Sequence, residues 1–440
     1  MKKVLSFSLA AMLSLGAFAV FPVANAVAEE SATEEKIVRP LAAYEFDDVN
    51  DPGLDSSGHG FNLKKKVVGA SADAFKVLED TDGENYISLS RTEDGSGGGL
   101  LYAPELGNSG KDFSDLIEES YTVSLTFRRD NSSNNGSHYV LATGRYNKCF
   151  QITPWLGGIQ IQLYSQHLAP GATAEEQGQW IEQNTKMISG VDTSDWTTVT
   201  VSTDAITNIS SVYINGEIRE TFNLTDVSFT WREDNYTFTL GAQCQVSGNA
   251  CTQFATVDIK QCRVYDCALS EANVERLYNG QEAIVEEGTA YIQEVAEIDT
   301  SALDLYATDV NTVDVIVNEV LPTSVMTTIS NGMKMPAKIT WFPVSETQIA
   351  GYLHSLYANV DQLYKTVDYG YTVRFDYDET LVRIGSVKLD GNAYEPGTPI
   401  DQNLHNISFT VTPLNDFVEV NAVSYWIWNG SLWGMNTTSA

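Results

Sequence analysis

The feature that most constrains this 440-residue chain is a two-residue period that recurs along much of its length. In Tyr121–Arg128, YTVSLTFR, the side chains of Val123, Leu125 and Phe127 share one face, and Thr122, Ser124 and Thr126 share the other. Residues 158–164 repeat the pattern, with Ile159, Ile161 and Leu163 inward and Gln160, Gln162 and Tyr164 outward; residues 196–202 repeat it with Val199 and Val201. Successive side chains of a strand point to opposite sides of a sheet, so such segments fold as strands covered on one face and wetted on the other. Residues 86–90, 100–102 and 236–240 add further strands, and 212–218 reads as a hairpin whose Asn215-Gly216 suits a type I′ turn. Gly, Asn and Asp clusters separate these segments and helical periods are scarce. The pattern predicts an all-β chain built on an antiparallel two-sheet sandwich.

One stretch closes that pattern. Residues 257–265 form a strand in which Val257 and Ile259 share a face, and Cys262 and Val264 resume the apolar set one position out of step, as a β-bulge allows. A short helix follows. Ser270 is its N-cap, Glu271 sits where the helix dipole favours an acid, and Gly280 ends it in the left-handed region. This strand–AlaLeuSer–helix–TyrAsnGly run resembles the last strand of laminin-G-like, concanavalin A-like jelly rolls. Residues 41–47 and the loop Asp55-Ser56-Ser57-Gly58-His59-Gly60 resemble the family's opening, and YTVSLTF, DWTTVTVS and VYINGEI resemble its middle strands. The resemblance covers about 40–284.

A composition change at Glu286-Glu287-Gly288 marks a boundary. Beyond it, DVIVNEVLPTSVMTTISNGMKMPAKITW resembles a bacterial immunoglobulin-like module, with a valine strand, a Leu-Pro step and a terminal Ile-Thr-Trp. The expected organisation is a leader at 1–26, a linker at 27–39, a jelly roll at 40–284, an Ig-like β-sandwich at 289–368 and a small β-module at 369–440. Residues 345–365 are ambiguous. Ile349, Tyr352, Leu353, Leu356, Val360 and Leu363 also stripe a helix, whereas the Ig-like resemblance implies a strand there. The ending Tyr425-Trp426-Ile427-Trp428, then Leu432-Trp433-Gly434-Met435, resembles a C-terminal β-module of secreted bacterial proteins.

Lys2 and Lys3, a run of small and apolar residues, and Ala24-Asn25-Ala26 read as a secretory leader. No other stretch is long and apolar enough to span a bilayer, and all five cysteines lie at or after Cys149, far from any lipidation position. The expected address is secreted, extracellular or held at a cell surface. A formal charge of −32 repels nucleic acid and anionic membranes, which excludes those partners. Cys244 and Cys251 flank QVSGNA and suit a hairpin-end disulfide; five reduced cysteines used as small apolar fillers fit the sequence equally well.

Catalytic motifs are missing. Retaining jelly-roll glucanases place two carboxylates on one strand face in Glu-x-Asp-x-(x)-Glu spacing, and no such spacing occurs. There is no Gly-x-Ser-x-Gly elbow and no His-Glu-x-x-His, and the five histidines are scattered. Two binding features remain. The resemblance implies a calcium ion at the sandwich rim, for which Asp47, Asp55 and Asn62 match the early ligands. The family's last strand usually carries Ile-Asp-Asp, however, where this chain has Ile259-Lys260-Gln261, leaving only Asp258 nearby. Sugars lay apolar faces on aromatic rings and bond their hydroxyls to amides, which makes Tyr146, Trp155, Gln160, Gln162, Tyr164 and Trp180 the expected carbohydrate-binding set. Trp196 is read as a strand-initial core residue. The leading function is a non-catalytic head that binds a polysaccharide or glycoconjugate. The alternatives are a glycoside hydrolase or polysaccharide lyase on the same sheet, or an adhesion component that binds protein.

Overall fold

Two-residue periodicity becomes two facing sheets. The computed structural model describes residues 35–440 apart from 107–109, 119, 130–137, 145–149, 156, 164–184, 225–234, 309, 346, 355–359, 361–362, 375–380, 402–404, 415–419, 421, 429–432 and 440. The expected leader lies outside the described residues, as do Tyr146, Cys149, Tyr164 and Trp180. Residues 36–440 cluster as one unit.

The jelly roll uses eighteen strands. The first nine are β1 Ala42–Tyr44, β2 Lys64–Val68, β3 Phe75–Glu79, β4 Asn85–Leu89, β5 Gly98–Tyr102, β6 Tyr121–Arg128, β7 Leu141–Ala142, β8 Gln151–Trp155 and β9 Gly158–Gln162. The second nine are β10 Thr185–Ser189, β11 Thr197–Asp204, β12 Ile209–Ile214, β13 Glu217–Asn223, β14 Tyr236–Thr237, β15 Thr239–Leu240, β16 Gln243–Gln245, β17 Cys251–Thr252 and β18 Val257–Tyr265. One sheet runs β13-β12-β11-β6-β18-β4-β3, with β1 also on β18; the other runs β10-β9-β8-β7-β15-β5-β2. Between them lie Val123, Leu125, Phe127, Val199, Val201, Ile259, Cys262 and Val264 from the first sheet, and Ile152, Ile159 and Ile161 from the second. All of these are fully buried, at about 1.5–3 kcal/mol for each large apolar side chain removed from water.

Local sequence signals are realised one by one. Asn215 and Gly216 both take positive φ, +53° and +81°, as a type I′ turn between β12 and β13 requires. The bulge expected in β18 is a register shift between Ile259 and Gln261 opposite β6. The helix α1, Glu271–Tyr278, begins where the Ser270 hydroxyl accepts from the Asn273 amide. It ends in a Schellman arrangement: Gly280 (φ +73°) donates to the Leu277 carbonyl and Gln281 to the Arg276 carbonyl. Gly98 and Gly99 open β5. A Cβ on Gly98 would sit 2.8 Å from Phe254, and one on Gly99 would sit 2.2 Å from the Ala74 carbonyl oxygen.

After the jelly roll come β19 Ile292–Val295, β20 Ser324–Ile329, β21 Lys334–Pro343, β22 Gln348–Leu353 and β23 Leu363–Asp368, paired in that order as an antiparallel meander. The ambiguous 345–365 is therefore strand at β22 and at the start of β23. The expected valine strand is helical: Val313–Val315 and Ile316–Val320 form a short helix started by the Thr312 side chain, which accepts from the Val315 amide. Val313, Ile316 and Leu321 turn their side chains onto Trp341 and Ile329, and one-sided burial of this kind suits a helix. Pairing among the described strands of this meander is consecutive throughout. Farther on, Tyr371–Arg374, Pro399–Ile400, Ala422–Trp428 and Trp433–Ser439 share a four-stranded sheet.

The meander does not hang off the head as a free spacer. Phe342, Ala350 and Tyr352 belong to the jelly-roll core cluster, the Phe342 ring lies 5.5 Å from Phe61, and the Tyr352 hydroxyl donates to Asp266. Lys338 pairs with Glu118, which also lies 3.7 Å from His354. Glu118 is thus a junction residue.

Candidate functional site

The outer face of the second sheet carries the site. Register places Gln151 opposite Gln162 and Gln162 opposite Thr185; Thr153 opposite Gln160 and Gln160 opposite Met187; Trp155 opposite Gly158 and Gly158 opposite Ser189. These nine residues make a three-by-three grid across β8, β9 and β10. With strands ~4.8 Å apart and ~3.3 Å per residue, it measures about 13 Å by 10 Å. The alternate residues Ile152, Pro154, Ile159, Ile161 and Ile188 are buried beneath it. That core fixes which way the grid faces, because a slip of one residue would invert every side chain. None of the nine is charged.

Burial is graded along the strands. Trp155 is 36% exposed at one end, while Gln151 and Gln162 are each 3% exposed at the other. At the Trp155 end Gly158 is buried and close-packed; a Cβ there would meet the Ile188 carbonyl oxygen at 2.3 Å. At the buried end Gln151 Nε2 donates to Gln162 Oε1 at 2.7 Å. The remaining amide atoms, Gln151 Oε1 and Gln162 Nε2, are buried without a hydrogen-bond partner, as are the hydroxyls of Thr153 and Thr185. Buried polar atoms in native proteins are nearly always paired, and leaving one unpaired costs about 1–3 kcal/mol. Four such atoms lie together on this one face.

The other half of this outer face is closed. On the rung that carries Gln151, Ala142, Thr239, Tyr102 and Lys64 follow on β7, β15, β5 and β2. Over β2 and β5 folds the small sheet β14-β16-β17, in which Cys244 and Cys251 are joined by a disulfide, as the hairpin spacing suggested. Leu100, Ala242, Cys244 and Phe254 pack together there, with Val68, Tyr102 and Cys251 against them. Lys66 donates to the Gly248 carbonyl and Gln243 to the Gly144 carbonyl, pinning the cover down.

Of the expected carbohydrate-binding residues, Trp155, Gln160 and Gln162 share the grid; Tyr146, Tyr164 and Trp180 lie outside the described residues. Gln162 is buried rather than outward in water, because the Gln151 side chain lies against it. Gln151, Thr153, Thr185 and Met187 were not anticipated. The signal for two of them was present: in QITPW, Gln151 and Thr153 precede Trp155 at the strand period of two.

The four calcium candidates do not converge. The Asp55 carboxylate accepts from the backbone amides of Ala43, Ser57 and Phe61 and from the Ser57 hydroxyl, so it staples the SerSerGly loop to β1. The Asn62 side chain accepts from the Asp55 amide. Asp258 is paired with Arg128 at 2.9 Å and lies opposite Ser88, whereas Asp47 is exposed and reaches Asn85, three positions along the same strand, through its carbonyl. Among the described residues no group of three or more His, Cys, Asp or Glu is arranged to hold a metal. Trp196 is likewise not in the core. It stands half-exposed on the outer face of the first sheet, 4.4 Å beneath the Arg128 guanidinium and 5.3 Å from the Tyr86 ring. Strand period alone could not say that Arg128 would lie over it.

A second concavity, of about 540 Å³, lies between the jelly roll and the meander. Its polar walls already pair with one another or with neighbours: Glu118 with Lys338, Asp266 with Tyr352, Glu286 with Ser270. Burial pushes the His354 imidazole there down to about 4, against the opposing pull of Glu118. No helix among the described residues is long and apolar enough to cross a membrane.

Residues 107–275 match the family described as the concanavalin A-like lectin/glucanases superfamily. No curated protein matches the sequence. Among solved structures, domain 4 of the GH43 extracellular arabinanase AbnA from Geobacillus stearothermophilus, in complex with arabinotriose, is similar at 18% identity and TM-score 0.35, over 55% of this chain and 99% of that one. The CBM40 of the Ruminococcus gnavus IT-sialidase, bound to α2,3-sialyllactose, is similar at 18% identity and TM-score 0.29, over 36% of this chain and 83% of that one. The binding domain of botulinum neurotoxin serotype D is similar at 13% identity and TM-score 0.35, over 91% of this chain and 88% of that one.

Proposed function

We propose, from the premise that residues 107–275 carry a concanavalin A-like lectin/glucanase domain, that the protein is an exported carbohydrate-binding protein whose ligand lies on the β8–β10 grid. The observation that carries this reading is the conjunction of an exposed indole with four buried, unpartnered polar atoms on one sheet face. An indole offers a flat apolar surface to the C–H face of a sugar ring, and amides and hydroxyls bond to its hydroxyls in both directions.

The same inventory supports binding rather than turnover. The grid holds no carboxylate, so it offers neither the nucleophile nor the general acid that glycoside hydrolysis requires. The leader-like start and the charge of −32 support a role outside the cell, where an acidic surface keeps the protein soluble. A single shallow face binds weakly, so repeated ligands on a polymer or surface would supply avidity. The test is a glycan array probed with the full chain and with Trp155→Ala. The reading predicts retention on a subset of glycans by the parent and its loss in the variant. Equal retention by both places the ligand elsewhere.

A further inference from the structure

Resting on that reading, we infer that the grid selects neutral glycans and discriminates against sialylated or uronate-bearing ones. The determinant is the side-chain amide pair Gln151–Gln162. The bond between them uses one N–H of Gln151, which leaves one nitrogen and one oxygen with no partner at all, Gln162 Nε2 with both its N–H groups and Gln151 Oε1 with both its lone pairs. Rotating both amides by a half-turn exchanges the roles but again leaves one donor and one acceptor, so the conclusion does not depend on how the amides are oriented. Adjacent sugar hydroxyls answer such a pair, since each donates and accepts. A carboxylate only accepts, and it would set its charge against the free carbonyl oxygen in a setting 3% exposed to water.

The rest of the grid agrees. Thr153 and Thr185 present hydroxyls whose atoms are buried and unpaired, and these can also act in either direction. None of the nine grid residues is Lys or Arg, so no side chain of the grid itself neutralises an anion. The whole-chain charge of −32 adds long-range repulsion that salt screens but short-range contact does not. A ring stacked on Trp155 therefore extends its neighbour toward Thr153 and the amide pair, where neutral hydroxyls alone match.

The experiment is titration calorimetry of the full chain with tetrasaccharides of arabinose, galactose, glucose, mannose and xylose, and with tetragalacturonate and sialyllactose, at low and at physiological salt. The expected result is at least tenfold tighter binding of one or more neutral chains than of either acidic one, retained at both salt concentrations. Equal or tighter binding of the acidic chains overturns the inference while leaving the glycan-binding reading intact; no binding of any sugar overturns both. The double variant Gln151→Met/Gln162→Met separates recognition from architecture. For a recognition pair its affinity falls at least thirtyfold while the melting temperature of the sugar-free protein holds or rises. If binding persists and the melting temperature falls, the pair is structural and the inference fails.

Discussion

The two sheets of the jelly roll each turn a polar face outward, and the two faces treat their hydrogen bonds differently. On β6 and β11 the hydroxyls pair across the strands: Thr122 with Ser202 at 3.2 Å, Ser124 with Thr200 at 3.0 Å, and Thr126 with Thr198 at 2.9 Å. Helix α1 then covers them with Leu269, Val274 and Leu277, and Ser202 donates onward to the Leu269 carbonyl. Tyr265 Oη is the one unpaired atom beneath that cover, and it lies beside the Arg263 guanidinium. On β8–β10 the polar atoms are buried and left unpaired. The two faces differ in whether their donors and acceptors find each other, and on the proposed function the unpaired face is the one that takes the ligand.

The largest effect expected from breaking this contrast is on the covered side. Leu277→Ala removes a buried contact under α1 and should destabilise by about 2–5 kcal/mol in denaturant unfolding, with glycan affinity unchanged below the transition. A loss of affinity with unaltered stability would tie the covered face to the ligand.

Next comes acid. The junction between the jelly roll and the meander contributes a pH-dependent part of the stability through His354. The His354 imidazole has a folded-state value of about 4, below its usual range. Protons therefore bind the unfolded chain first, and the contribution of neutral His354 is fully present above about pH 6.5 and lost progressively as pH falls toward 4. The loss is expected on the order of 2–3 kcal/mol, removed in His354→Gln, and read as the pH dependence of the melting temperature. Identical pH profiles for variant and parent would refute it.

Trp155→Ala should weaken glycan binding about tenfold to a hundredfold, near 1.4–2.8 kcal/mol, and leave stability within about 0.5 kcal/mol because the indole is exposed. The smallest effect is Thr200→Val, which strands the Ser124 hydroxyl and should cost about 1–2 kcal/mol; adding Ser124→Ala should recover most of it. If the double variant is no better than the single one, the ladder is not behaving as a paired network.

Much of this was legible in the residues. Alternation in YTVSLTFR placed Val123, Leu125 and Phe127 in the core, and Asn215-Gly216, Ser270 and Gly280 announced a turn and both ends of a helix, because each signal is local. What failed was long-range or ambiguous. The valines of 313–320 suit a strand by propensity, yet the Thr312 cap and one-sided burial made them helical. Trp196 was assigned to the core because strand period fixes a face but not which residue of a distant strand lies over it; Arg128 is 68 residues upstream by sequence number (196 − 128). Gln162 was expected to bind carbohydrate from its strand position, whereas its bonding partner Gln151 emerged only from the β8–β9 register. The junction through Phe342 and Tyr352 had no sequence signal, since a buried aromatic does not announce which core it joins.

Amide hydrogen exchange of the full chain, with and without a saturating neutral oligosaccharide identified by calorimetry, tests the central contrast most directly. The account predicts added protection confined to Gln151–Trp155, Gly158–Gln162 and Thr185–Ser189, with Tyr121–Arg128 and Thr197–Asp204 unchanged. Protection appearing on the second pair of strands, or on neither, would contradict it.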